Sequence, residues 1–210
     1  MKKLIALLLA VVMVMSMVAC GTNNNTTAGE TENTEPAKGA DEVFNAAVAK
    51  FLATLAPLFD VAVEDMQYFF GGGYFSEDET TVKMGEAGKT PLDVEDAVNT
   101  FKMVSLISEE TFAKIDDAAV FHHSMNMNTF AASSMKVANA ADVESVANSL
   151  KNSVGGNEVW DCGFPERYLI ITVDAYVISV YGNADMVNAM KTAVTETYAN
   201  AVVVADEAFA

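Results

Sequence analysis

The sequence predicts an α+β fold: N-terminal helices followed by two ββα units forming an antiparallel sheet with helices packed on one face. Three observations predict it. From Asp41 onward apolar residues recur at helical spacing, with Val43, Ala47, Phe51 and Leu55 four apart. Tyr168–Val173 and Tyr176–Tyr181 are dense in Ile, Val and Tyr and are separated only by Asp174-Ala175, the signature of a hairpin. Asn139-Ala140-Ala141-Asp142 and Asn183-Ala184-Asp185 each follow such a strand pair and open an apolar helical stretch, so the second half reads as a repeat.

The chain opens on MKKLIALLLAVVMVMSMVACG. Lys2 and Lys3 precede an apolar run from Leu4 to Val18, and Ala19 precedes Cys20. This is a positive segment, a hydrophobic segment and a small-residue cleavage site, the pattern of an export signal. Met17-Val18-Ala19-Cys20 resembles the lipobox of bacterial lipoproteins, which implies that residues 1–19 are removed and that Cys20 carries lipid. Residues 21–40 hold no large apolar side chain and read as a disordered tether. Residues 41–210 are then a single domain, with a mainly helical part over 41–117 and a ββαββα part over 118–210.

Within that domain the first helix begins at Asp41 and is expected to stop at Pro57. Gly71-Gly72-Gly73 mark a loop or hinge, and residues 76–90 read as loop. A second helix follows Thr90-Pro91-Leu92-Asp93, and Ser108 caps a third that runs to Ile115. Val120–Thr129 alternates, which predicts a strand with Phe121, His123, Met125 and Met127 buried and His122 facing solvent. Phe130–Val137 returns as its partner, with the turn near Asn126–Asn128. Ala141–Val154 is a helix ended by Gly155-Gly156, and Met186, Met190 and Val194 form the apolar face of the last one.

The formal net charge is −17, with 29 acidic and 12 basic residues. Such a surface repels phosphate backbones and anionic headgroups, which argues against nucleic acid as a partner. Attachment to a lipid bilayer is expected through acylated Cys20 alone. The chain has two cysteines, and lipid on Cys20 leaves Cys162 without an intramolecular partner, so the core must hold the fold.

The lipobox at Cys20, the stretch from Met125 to Leu150 and that from Pro165 to Lys191 together resemble a family of uncharacterised lipoproteins from Gram-positive anaerobes. The resemblance implies location and fold, a tethered α+β domain. It implies no activity and no functional residue.

Candidate chemistry is sparse. Gly85-Glu86-Ala87-Gly88-Lys89-Thr90 imitates a phosphate loop, but Lys83 stands where a glycine is needed and Pro91 follows at once. His122, His123, Met125 and Met127 would suit a soft metal, yet a strand sends adjacent histidines to opposite faces and sets His123 about 13 Å from Met127. No metal and no other cofactor is therefore expected. Cys162 lies among Trp160, Asp161, Glu166 and Arg167, where a thiol-dependent hydrolase could be centred, but the nearby acids would raise its pKa. The acid pairs Glu109-Glu110 and Asp116-Asp117 read as solvated helix ends. The expected function is a non-enzymatic binding or accessory module for a protein, peptide or envelope component. Its candidate contact residues are Phe69, Phe70, Tyr74, Trp160 and Cys162. The alternatives are the Cys162 hydrolase and a metal or small-ligand binder using His122, His123, Met125 and Met127.

Overall fold

A computed structural model describes residues 38–74, 81–160 and 163–209. The expected signal peptide, lipidated Cys20, most of the tether and Cys162 lie outside the described residues. The class is α+β, with an eight-stranded antiparallel sheet.

The first helix, α1 (Ala40–Phe59), buries the predicted stripe of Val43, Ala47, Phe51 and Leu55 against the sheet. Gly39 N–H is accepted by the Glu42 carboxylate at 3.2 Å, and the tether ends earlier than expected. Ala40 is buried and donates its N–H to Asp117 at 2.9 Å, and Lys38 accepts from the Tyr176 hydroxyl. Pro57 lies inside the last turn and does not stop the helix. Its missing N–H frees only the carbonyl of Ala53, which is exposed and can be hydrated. The helix is long and apolar enough to cross a membrane by length and composition, but its apolar stripe is part of the core.

A short α2 (Val63–Met66) and a 3₁₀ turn lead into β1 (Phe70–Gly72), β2 (Lys83–Met84) and β3 (Gly88–Thr90). These three strands replace the loop expected over 76–90 and much of the hinge expected at the glycines. Both β1 and β3 pair with the same edge of β4 (Ile115–His123), one beyond the other. The two backbones nearly touch where they meet. A Cβ on Gly72 would lie 2.1 Å from the nitrogen of Gly88, so close approach is what that glycine provides.

Next come α3 (Glu95–Ser105) and α4 (Glu109–Phe112), the latter capped by Ser108 as the sequence predicts. Asp116-Asp117 belong to β4 and not to a helix end. The second half runs β4, β5 (Phe130–Val137), α5 (Val143–Gly155), β6 (Arg167–Val173), β7 (Tyr176–Gly182), α6 (Ala184–Thr197) and β8 (Val202–Ala208). The β6–β7 hairpin pairs Tyr168 with Tyr181 and Val173 with Tyr176 across the turn at Asp174-Ala175. Asp174 takes the left-handed conformation there, with φ 49°. The strand order is β2-β1-β4-β5-β7-β6-β8.

Helices cover both faces of the sheet, which corrects the expectation of one. On one face α1 and α6 pack on Phe121, Phe130, Leu169, Ile171 and Val180. On the other, α3 and α5 pack on Val120, Ala131, Ile170, Val177 and Tyr181. The two helices that follow the strand pairs, α5 and α6, thus lie on opposite faces, and the two expected ββα units are not equivalent. Near-continuous burial along β5, β6 and β7 follows from this double coverage.

Candidate functional site

The strand expected over Val120–Thr129 ends at His123, and Ser124–Thr129 form the turn into β5. The alternation of Met and Asn in this segment is therefore not a strand signal. Asn126 Oδ1 accepts the N–H of Asn128 at 2.9 Å, and Thr129 N–H reaches the Asn126 carbonyl at 3.1 Å, bonds by which asparagine builds turns. Asn128 Nδ2 donates to the Gly163 carbonyl at 2.9 Å, which ties the turn to the segment after Trp160.

Two expected burials are reversed, that of His122 because helices cover both faces of the sheet and that of Met125 because the strand ends before it. His122 is 8 % exposed instead of solvent-facing, and Met125 is 90 % exposed instead of buried. His122 faces the α3/α5 side, in a cross-strand row with Ala131 and Tyr181. His123 turns the other way and meets the ring of Phe70 edge-on, with centroids 5.4 Å apart.

At this end of the sheet a cavity of about 510 Å³ opens between the turn, α3 and the segment after α5. The turn and the two histidines form one wall. Met103 and Leu106 stand opposite, and Trp160 and Tyr181 close the side, their ring centroids 5.1 Å apart. Trp160 is held by its Nε1 donating to the Asn157 carbonyl at 3.1 Å, and by Phe209 with ring centroids 5.3 Å away. Among the described residues, no side chain lining the cavity is charged. Three other clefts each include acids: Glu42, Glu64 and Glu86 in one, Asp93, Asp116 and Asp117 in another, Glu144 in the third.

The two histidines are wired differently. The His123 carbonyl can only accept, so His122 Nδ1 donates to it at 3.2 Å. That leaves the lone pair on His122 Nε2, which has no hydrogen-bond partner among the described residues. His123 Nδ1 instead accepts the N–H groups of Met125 and Asn126, each at 3.3 Å, so its proton sits on Nε2. Burial lowers the pKa of His122, with the hydrogen bond to His123 opposing it. Burial and repulsion from His122 lower that of His123. Both rings are thus held neutral, one presenting a bare nitrogen and the other fixing a turn.

The expected aromatic contact surface is not assembled. Phe70 is fully buried among Phe51, Phe121 and Phe130, and Tyr74 is buried. Phe69 alone of the three is exposed, at 43 %. Trp160 does line the cavity, and Cys162 lies outside the described residues. Sequence reasoning missed Thr100, Met103, Leu106, Asn157 and Tyr181, which come from separate elements. The one available signal was Met103, an apolar residue off the buried stripe of α3 that Ala97, Phe101 and Val104 define. Among the described residues no group of three or more His, Cys, Asp or Glu could hold a metal. Searches against protein-family models, curated proteins and solved structures find no match to this chain.

Proposed function

We propose that this protein is a membrane-anchored, extracytoplasmic lipoprotein acting as a non-enzymatic binding module, and that the cavity beside His122 and Trp160 is where it holds its ligand. The observation that carries the second half is the cavity's lining. In a chain of net charge −17, the described lining of this recess is uncharged and combines an aromatic wall with a few convergent polar groups. Its volume and character are those of small-ligand sites. The anchoring half rests on residues 1–20, where Lys2, Lys3, the apolar run and Ala19-Cys20 form the export and lipidation pattern. The bilayer, reached through Cys20, and an envelope component, peptide or protein are the partners this reading supplies.

Trp160 is the sole tryptophan and lines the cavity, so its emission reports occupancy. The full chain in detergent should show a saturable change in emission with at least one fraction of a cell-wall digest. Thr100→Phe, which fills the mouth, should abolish the change, and the ligand should be recovered unaltered. Recovery of a cleaved ligand, with cleavage lost in Cys162→Ser, would establish the hydrolase alternative instead. For the anchor, Cys20→Ser should release the protein from the membrane fraction or block its processing. Retention with an unprocessed N-terminus would indicate an ordinary membrane helix.

A further inference from the structure

Resting on the reading of this cavity as the ligand site, we infer that its ligand is a soft monovalent cation of the copper(I) class, bound by His122 Nε2 and by thioethers from Met103, Met125 and Met127. Four observations lead there. His122 is more than nine-tenths buried, and its Nδ1–H is fixed on a backbone carbonyl. That bond to the His123 carbonyl sets the tautomer that metal-binding imidazoles use and leaves Nε2 without a hydrogen-bond partner among the described residues. Three methionines from two elements border the same cavity. Met125 and Met103, at 90 % and 54 % exposure, are not there to fill a core, and exposing them has no return in packing.

Among the described residues no carboxylate lines the cavity, and that supplies the selectivity. Hard divalent cations take oxygen anions, whereas neutral thioether and imidazole donors select soft ions. A single positive charge can be held by neutral ligands without leaving an anionic side chain unpaired in the empty cavity. Trp160 and Tyr181 add aromatic surface that can face a cation.

The site differs from one that shares an ion between both histidines. His123 already accepts two N–H groups on Nδ1, so its Nε2 carries the proton and cannot ligate. Its hydrogen bonds hold the turn from which Met125 and Met127 border the same cavity as His122. This answers the objection from strand spacing, which assumed that residues 122–127 were extended.

The test titrates the full chain in detergent with silver(I), a redox-silent soft ion, and with copper(I) in competition with a chromogenic chelator. With methyl-¹³C methionine, silver(I) should shift the Met103, Met125 and Met127 methyl signals at one equivalent. The buried Met66, Met135, Met186 and Met190 should stay in place. His122→Asn and Met127→Leu should each weaken copper(I) binding at least tenfold, while Cys162→Ser and Met84→Leu, the latter lining a different cleft, change it less than threefold. Zinc(II) should bind no more tightly to the parent than to His122→Asn. Loss of binding in Cys162→Ser alone would assign the ion to a thiol and overturn the inference, as would unchanged affinity in both the His122 and Met127 variants. If cell-wall fractions shift Trp160 emission while silver(I) moves no methionine methyl, the binding module stands and the soft-ion assignment falls. If neither acts, both fall.

Discussion

Phe121 and His122 are neighbours in β4, but they face opposite sides of the sheet, and the two sides are finished in different ways. On the α1/α6 side, Phe44, Phe51, Phe70, Phe121 and Phe130 lock together. Phe51 stacks on Phe130 at 4.7 Å, and Phe70 on Phe121 at 5.7 Å. On the α3/α5 side the same end of the sheet stops short of its covering helix and leaves the cavity. One strand therefore carries a closed face and an open one. Rigid packing on the first fixes the backbone that aims His122 into the second, the arrangement that a binding site on a rigid element requires.

The largest test of this contrast is Phe121→Ala. It removes the ring that meets all four of the others, and should cost about 3–5 kcal/mol by chemical denaturation. His122→Asn, one residue away, should cost far less stability while removing ligand binding. Equal losses in both variants would mean that the α3/α5 side is packed as tightly as the other.

A second effect lies at the far edge of the sheet, where β8 is clamped from both sides. Asp206 accepts from Arg167 Nε at 2.6 Å and pairs with Lys191 of α6 at 2.7 Å. Glu207 accepts from the Tyr168 hydroxyl at 2.6 Å and pairs with Lys151 of α5 at 2.7 Å. The hydrogen bond from Arg167 is the main cause holding the Asp206 pKa below its ordinary value. A depressed carboxylate stabilises the fold above its unfolded pKa of about 4, and that contribution is lost as pH falls through the lower folded value. Asp206→Asn should thus be less stable than the parent at neutral pH, and denaturation curves at successive pH values should converge below about pH 4.

Smaller effects follow on the α3/α5 side. Ser133 and Ser179 face each other across β5 and β7, and their buried hydroxyls have no partner among the described residues. Ser179→Ala should be neutral or stabilise by up to about 1 kcal/mol, because it removes an unsatisfied polar group. Met125→Ala should change stability by less than about 0.5 kcal/mol, as befits an exposed side chain. A cost of several kcal/mol would mean that the residue is packed and would remove the argument from its exposure.

The same contrast explains what could be read from the sequence. The Phe-rich core and the β6–β7 hairpin were legible because burial imposes a period on contiguous residues, as in Val43, Ala47, Phe51 and Leu55. β1, β2 and β3 were not, since two- and three-residue strands built on Gly71, Gly72 and Gly88 have no period and little strand propensity. β8 was unassigned, and it is an edge strand whose side chains are largely exposed or half-buried. A turn near Asn126–Asn128 was legible but its extent was not: Ser124 and Met125 read as strand because Met and Asn alternate there, although β4 ends at His123. The cavity was only half legible: His122, His123, Met125, Met127 and Trp160 stood out, but Met103 and Tyr181 reach it from elements that only the tertiary fold brings together.

The central claim is that two adjacent histidines have divided roles, His122 presenting a bare Nε2 to the cavity and His123 holding the turn through Nδ1. Long-range ¹H–¹⁵N NMR of the imidazole rings at neutral pH tests it directly. The account predicts two neutral rings of opposite tautomer, with the proton on Nδ1 of His122 and on Nε2 of His123. The same tautomer in both rings, or a protonated His122, would contradict it.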